Sequence, residues 1–84
     1  MTVKARIFVT YKESVFDPQG QAITDAVQSL GHPEVEKINV GKFFDVQLDP
    51  ATKSVAQTVS EISEQLLVNF NLETYRYELL EEQQ

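Results

Sequence analysis

Apolar and polar residues alternate from the third position of the chain, where Val3, Ala5, Ile7, Val9 and Tyr11 are interleaved with Lys4, Arg6, Phe8, Thr10 and Lys12. A period of two predicts a half-buried strand with its odd positions on the core. The even face is polar apart from Phe8, whose exposure on an open sheet costs about 2 kcal/mol relative to burial, so a partner surface is expected over it. The period then changes. Ala22, Ile23, Ala26, Val27 and Leu30 recur at three- and four-residue intervals, one stripe of a helix, with Gln21, Asp25 and Gln28 on its wet side. Asp17 can accept from the open amides of the helix start and Pro18 presets the first helical φ. Gly31 is placed to close the helix in a left-handed conformation, and His32-Pro33 forbids continuation. The helix is predicted from about Pro18 to Leu30.

Val35 to Val40 reads as a second strand with Glu36, Ile38 and Val40 on one face, and Gly41-Lys42 as the tight turn of a hairpin. A third strand follows at Phe43 to Leu48. Its inward set is Phe44, Val46 and Leu48, while Phe43 joins Phe8 on the outer face. Asp49 to Lys53 is a loop, and Ser54 with Gln57 forms a capping-box start for a second helix. Val55, Val59, Ile62 and Leu66 mark its stripe, widened by Ala56 and Leu67, with an end near Asn69. In a fourth strand Tyr75, Tyr77 and Leu79 alternate with Thr74, Arg76, Glu78 and Leu80, before a tail, Glu81-Glu82-Gln83-Gln84, expected to fray. The predicted order is βαββαβ, a ferredoxin-like α+β sandwich with two helices on one face of a four-stranded antiparallel sheet. The other face stays open with Phe8, Phe43 and Leu80, the pattern of an association surface.

Composition narrows the function classes. Eighty-four residues, 1–84, make a single domain with little interior to spare. The chain has no cysteine, so no disulfide or thiolate chemistry is available and oligomerisation is the natural way to bury more surface. A net charge of −6 repels nucleic acid and anionic lipid. Met1 to Arg6 lacks the apolar core of a signal peptide and no apolar run approaches a bilayer span, so a cytoplasmic protein without a membrane partner is expected.

Candidate chemistry is sparse. His32 is the sole histidine and sits in a turn without triad or zinc partners. Gly41-Lys42 lacks the remainder of a phosphate loop. Asp45 and Asp49 occupy an outward position and a strand end, where solvated carboxylates are routine. Ser14 near Lys12 has no neutral base to activate it, Tyr75 and Tyr77 share a strand face suited to core or interface, and Glu61 and Glu64 read as the wet face of the second helix.

Lys12-Glu13-Ser14-Val15 and Asp17-Pro18-Gln19-Gly20, followed by Ser29-Leu30-Gly31, Val40-Gly41-Lys42, Glu64 through Leu67 and Tyr75-Arg76-Tyr77-Glu78, together resemble the PurS family, small subunits of phosphoribosylformylglycinamidine synthase. The chain departs from that pattern at Asn69-Phe70, where the family usually has Asn-Pro, and at Thr74, where an acidic residue is frequent. The resemblance implies a subunit without chemistry or cofactor of its own, bridging a large synthetase subunit, which carries ATP and magnesium, and a glutaminase subunit that releases ammonia. It also implies a homodimer or higher homo-oligomer. The expected partner contacts are the motif residues at strand ends and turns: Lys12, Val40, Gly41, Lys42, Tyr75, Arg76 and Tyr77. A free-standing ferredoxin-like ligand-sensing module is the alternative, and it would want a glycine-rich loop after the first strand, which Lys12 to Asp17 does not provide. An acylphosphatase-like hydrolase would want an arginine in that loop.

Overall fold

The computed structural model describes residues 2–80; the expectation of a frayed tail at 81–84 lies outside them. The first strand, β1 (Val3–Tyr11), forms as its alternation predicts. Ala5, Ile7 and Val9 are sealed from solvent and Phe8 faces the other way. β1 is the central strand of a three-stranded sheet ordered β2-β1-β3, with β2 at Gly41–Leu48 and β3 at Glu73–Leu80, both antiparallel to it. The register sets Ile7 between Phe44 and Tyr77, and Phe8 between Phe43 and Arg76. Phe44, Val46 and Leu48 therefore share the inner side with Ala5, Ile7 and Val9, as expected.

The second helix, α2 (Val55–Ile62), roofs that side. Its capping box closes as read, the Gln57 amide donating to Ser54 Oγ at 3.1 Å. Val59 joins Ala5, Ile7 and Val9 in the core, with Val55 and Ile62 packed against that cluster. The helix does not run regularly to Asn69. After Ile62 it widens into a π-type turn, Ser63–Leu67, in which the Val68 amide donates to the Ser63 carbonyl five residues back at 3.1 Å. One extra residue in the turn rotates the chain beyond it: Leu66, predicted in the buried stripe, is 82% exposed, while Val68 enters the core.

The largest correction concerns the first helix and the stretch after it. α1 (Pro18–Ser29) has the predicted cap, with the Gly20 amide donating to Asp17 Oδ1 at 2.9 Å, and the predicted stop, with Gly31 at φ +103°. Val35 to Val40, however, forms no strand. Two of its amides are held by helix side chains instead: Ile38 N–H donates to Thr24 Oγ1 at 2.9 Å and Val40 N–H to Asp17 Oδ2 at 2.8 Å, while Gln28 Nε2 donates to the Val35 carbonyl at 2.8 Å. A backbone whose donors are satisfied by helix side chains has no need of a sheet partner. The stretch is a strap laid antiparallel along α1. Gly20 makes the approach possible, since a Cβ there would lie 2.3 Å from the Ile38 carbonyl oxygen. Gly41-Lys42 is accordingly no hairpin turn; the two residues open β2 opposite Thr10 and Val9.

The predicted second strand is thus replaced by an arm. α1 and its strap continue from the end of the sheet instead of covering it, so the two helices do not share one face. About 30 Å of strand and about 18 Å of helix laid end to end account for the longest dimension of 51 Å. The radius of gyration is 16.5 Å, against about 12 Å for a compact chain of this length. Along α1, Gly20 and Thr24 are buried by the strap, while Ala22, Ile23, Ala26 and Leu30 of the predicted core stripe are exposed.

Candidate functional site

The open side of the sheet is built by register. Phe8 of β1 and Phe43 of β2 are direct cross-strand neighbours, with ring centroids 6.2 Å apart. Arg76, opposite Phe8 on β3, lays its guanidinium 4.1 Å from the Phe8 ring centroid, and Arg6 sits 4.7 Å from that of Phe43. Each cation is in turn held by an acid: Arg6 grips Asp45 through two bonds of 2.7 and 3.1 Å, and Arg76 reaches Glu78 at 2.9 Å. Asp45 titrates below the ordinary carboxylate range because the Arg6 guanidinium hydrogen-bonds its charged form, and Arg6 is raised by the same bond. Leu80, opposite Lys4, closes this face at its far end and is half-buried. The predicted oligomer-face residues Phe8, Phe43 and Leu80 thus share one side of the sheet, joined there by Arg76, which the motifs had placed among partner contacts.

The remaining predicted contacts divide between two places. Lys12, Val40, Gly41, Lys42 and Tyr75 gather where the arm leaves the sheet. Lys42 and Tyr75 flank Val9 from opposite strands, and the Lys12 amide donates to the Leu72 carbonyl at 2.9 Å. Gly41 lies so close to β1 that a Cβ would fall 2.7 Å from the Val9 carbonyl oxygen. A cavity of about 190 Å³ opens here, lined by Tyr11, Gln19, Val40, Gly41, Lys42 and Glu73 among others. Glu73, which sequence reasoning passed over, spans the mouth by pairing with Lys42 at 3.6 Å while its other oxygen accepts from the Asn69 amide at 2.9 Å. Its only sequence signal was an acidic residue at the start of a strand. Tyr77 stands apart on the inner side of β3, half-uncovered beside the exposed Leu79.

Other candidates take ordinary local roles. Asp45 and Asp49 do not converge, for Asp49 accepts the Ala51 amide at 2.9 Å within its own loop. His32 meets Glu34 at 3.2 Å on the surface. Glu61 is bonded by Lys53 at 2.7 Å, which lowers its pKa. Ser14 lines a cavity of about 300 Å³ with Glu13, Phe16, Asp17, Lys37 and Asn39, at the root of the arm. Among the described residues no cluster of three or more histidine, cysteine or acidic side chains is placed to hold a metal ion, and no helix is long and apolar enough to cross a membrane.

The chain is similar in sequence and fold to known proteins. The family model described as PurS, phosphoribosylformylglycinamidine (FGAM) synthase, matches residues 4–81. The chain belongs to the PurS family. The PurS subunit of Bacillus subtilis is 37% identical over 78 residues, 93% of each chain, and that of Synechocystis is 35% identical over 88% of this chain and 75% of its own. The fold agrees: a crystal structure of Bacillus subtilis PurS superposes with a TM-score of 0.84 over 96% of this chain and 100% of that one at 37% identity. PurS within a structure of PurLQS from Thermotoga maritima superposes with a TM-score of 0.82 at 28% identity, covering 95% of this chain and 99% of that one. The arm and three-stranded sheet are therefore features of a PurS fold, and the family's business is FGAM synthesis in purine biosynthesis.

Proposed function

We propose that this chain is the non-catalytic coupling subunit of a cytoplasmic FGAM synthase, acting as a homodimer or larger homo-oligomer that holds the ATP-using synthetase subunit and the glutaminase subunit in register. Ammonia released by one subunit then reaches the other without escaping to water, because a positioned pair replaces a bimolecular encounter by an effectively intramolecular transfer. ATP and magnesium belong to the large subunit in this reading. The observation that carries it is the chain's own architecture within the PurS family: a thin three-stranded sheet with an arginine–phenylalanine lattice on one side and an arm projecting from its end, surfaces suited to contact with larger bodies. Lys12, Val40, Gly41, Lys42, Tyr75, Arg76 and Tyr77 are assigned to those contacts.

The test is reconstitution. With matched synthetase and glutaminase subunits, omission of this chain is expected to abolish glutamine-dependent FGAM formation while leaving activity from free ammonia. In the same assay Lys42→Glu and Arg76→Glu should weaken glutamine-dependent activity and assembly together. Glutamine-dependent activity that survives omission would sink the coupling role.

A further inference from the structure

Helix α2 is capped by the single hydroxyl oxygen of Ser54, so a helix start in this chain does not call for a carboxylate. At α1 the same task falls to Asp17 Oδ1, which accepts the Gly20 amide at 2.9 Å, and a second oxygen is left over. That oxygen, Oδ2, accepts the amide of Val40 at 2.8 Å, 23 positions along the chain. Asp17 makes both bonds from a buried position, with 9% of its surface exposed.

Val40 stands where the strap ends and β2 begins, and with Gly41 and Lys42 it is assigned above to partner contact. The segment is held on its two sides by different parts of the molecule. On the sheet side Gly41 and Lys42 enter register opposite Thr10 and Val9, and Lys42 pairs with Glu73 at 3.6 Å. On the arm side Val40 is held by its bond to Asp17. Side-chain packing leaves room at this junction, for Asp17 borders the cavity of about 300 Å³ and Val40 that of about 190 Å³. A hydrogen bond to a charged acceptor is stronger than a neutral one, and here it fixes a backbone path that packing leaves free.

We infer that Asp17 is a positioning residue for partner binding. Its second oxygen holds the Val40 amide, so that Val40, Gly41 and Lys42 meet a partner subunit along one backbone path. A residue that caps α1 without reaching Val40 therefore leaves the fold in place and weakens assembly. This role rests on the coupling function and on the contacts assigned to it.

Asp17→Ser and Asp17→Asn separate the two bonds, because serine and asparagine both cap helices well and neither offers two acceptor oxygens. Hydrogen exchange of each folded variant reads which amide is released, that of Gly20 or that of Val40. Each variant is then titrated into matched synthetase and glutaminase subunits, with glutamine-dependent FGAM formation as the readout. Where Val40 is released and Gly20 stays protected, the concentration giving half-maximal activity should rise about tenfold, the scale of one lost bond to a charged acceptor, with the plateau recovered at saturation. A variant that keeps the Val40 amide protected should assemble like the wild type. So should Thr24→Val, which frees Ile38 within the arm and leaves the bond between Val40 and Asp17 in place.

Unchanged half-maximal activity after release of Val40 would overturn the positioning role. An equal loss in Thr24→Val would overturn it as well, since any loosening of the arm would then be enough. Protection of Val40 in both Asp17 variants would mean that another group holds that amide, which is a third way for the role to fail. Glutamine-dependent activity that survives omission of the chain marks a different failure, that of the coupling function itself, and the positioning role falls with it.

Discussion

Asp17 serves two parts of the chain with one carboxylate. Oδ2 accepts the Val40 amide and Oδ1 the Gly20 amide, and these bonds, the first the larger, hold its pKa below the ordinary carboxylate value, with Lys37 adding a smaller pull. Because the folded pKa is depressed, the linked stability is present above the unfolded pKa of about 3.9 and is lost as pH falls through the lower folded value. Asp17→Asn removes that ionisation. Urea midpoints measured from neutral to acidic pH should show a lower plateau for the variant and a shallower acid decline, the residual slope coming from Asp45 and Glu61, which are depressed too. An unchanged acid limb would mean that Asp17 is not charged in its cap. Half of this residue's role was legible in sequence. The Asp17-Pro18 pair announces a helix start locally, whereas the bond to an amide 23 positions away carries no local signature.

Between residues and the whole, the strap is where periodicity misled. Val35 to Val40 has the alternation of a strand, and alternation reports which side chains face apart without saying what satisfies the backbone. Here Thr24 does so, its hydroxyl donating to the Gly20 carbonyl at 2.7 Å and accepting the Ile38 amide at 2.9 Å. Thr24→Val keeps the shape and removes both bonds, stranding a part-buried amide at a cost of about 1–3 kcal/mol. Hydrogen exchange should accelerate at Ile38 while the amides of β1 remain protected; unchanged exchange at Ile38 would mean that the strap is held by other contacts. The elements predicted well, β1, the two helix starts and the Phe43 to Leu48 strand, are those whose signals are local: an alternating run, a capping side chain, a glycine stop. α1 itself formed over the residues read, but its apolar stripe does not lie on this chain's sheet, because periodicity reports a face and not what lies against it.

At the scale of the molecule, a radius of gyration of 16.5 Å gives an 84-residue chain little shared interior, and folding is expected to be linked to association. The thermal midpoint should therefore rise as protein concentration is raised about a hundredfold, by the mass-action term that ties folding to assembly. Differential scanning calorimetry across that range is the check, and a constant midpoint would identify a self-sufficient monomer. Family membership was legible because motifs such as Lys12 to Val15 and Val40 to Lys42 lie at junctions of arm and sheet, where sequence is tied to backbone path. The absence of a strand at Val35 to Val40 was not, because it depends on how those junctions sit in space.

The wide turn at Ser63–Leu67 has a consequence for how the chain tolerates changes in length. A continuous helix would carry its apolar stripe on to Leu66, whereas here a surplus residue is wound into the backbone, Leu66 is turned to water, and Val68 is brought into the core. The phase between α2 and β3 is thereby set by winding and not by the number of residues in a loop. A one-residue deletion in this stretch is expected to tighten the wide turn to an ordinary helical one, leaving the pairing of β3 with β1, and the positions of Tyr75, Arg76 and Tyr77, where they are.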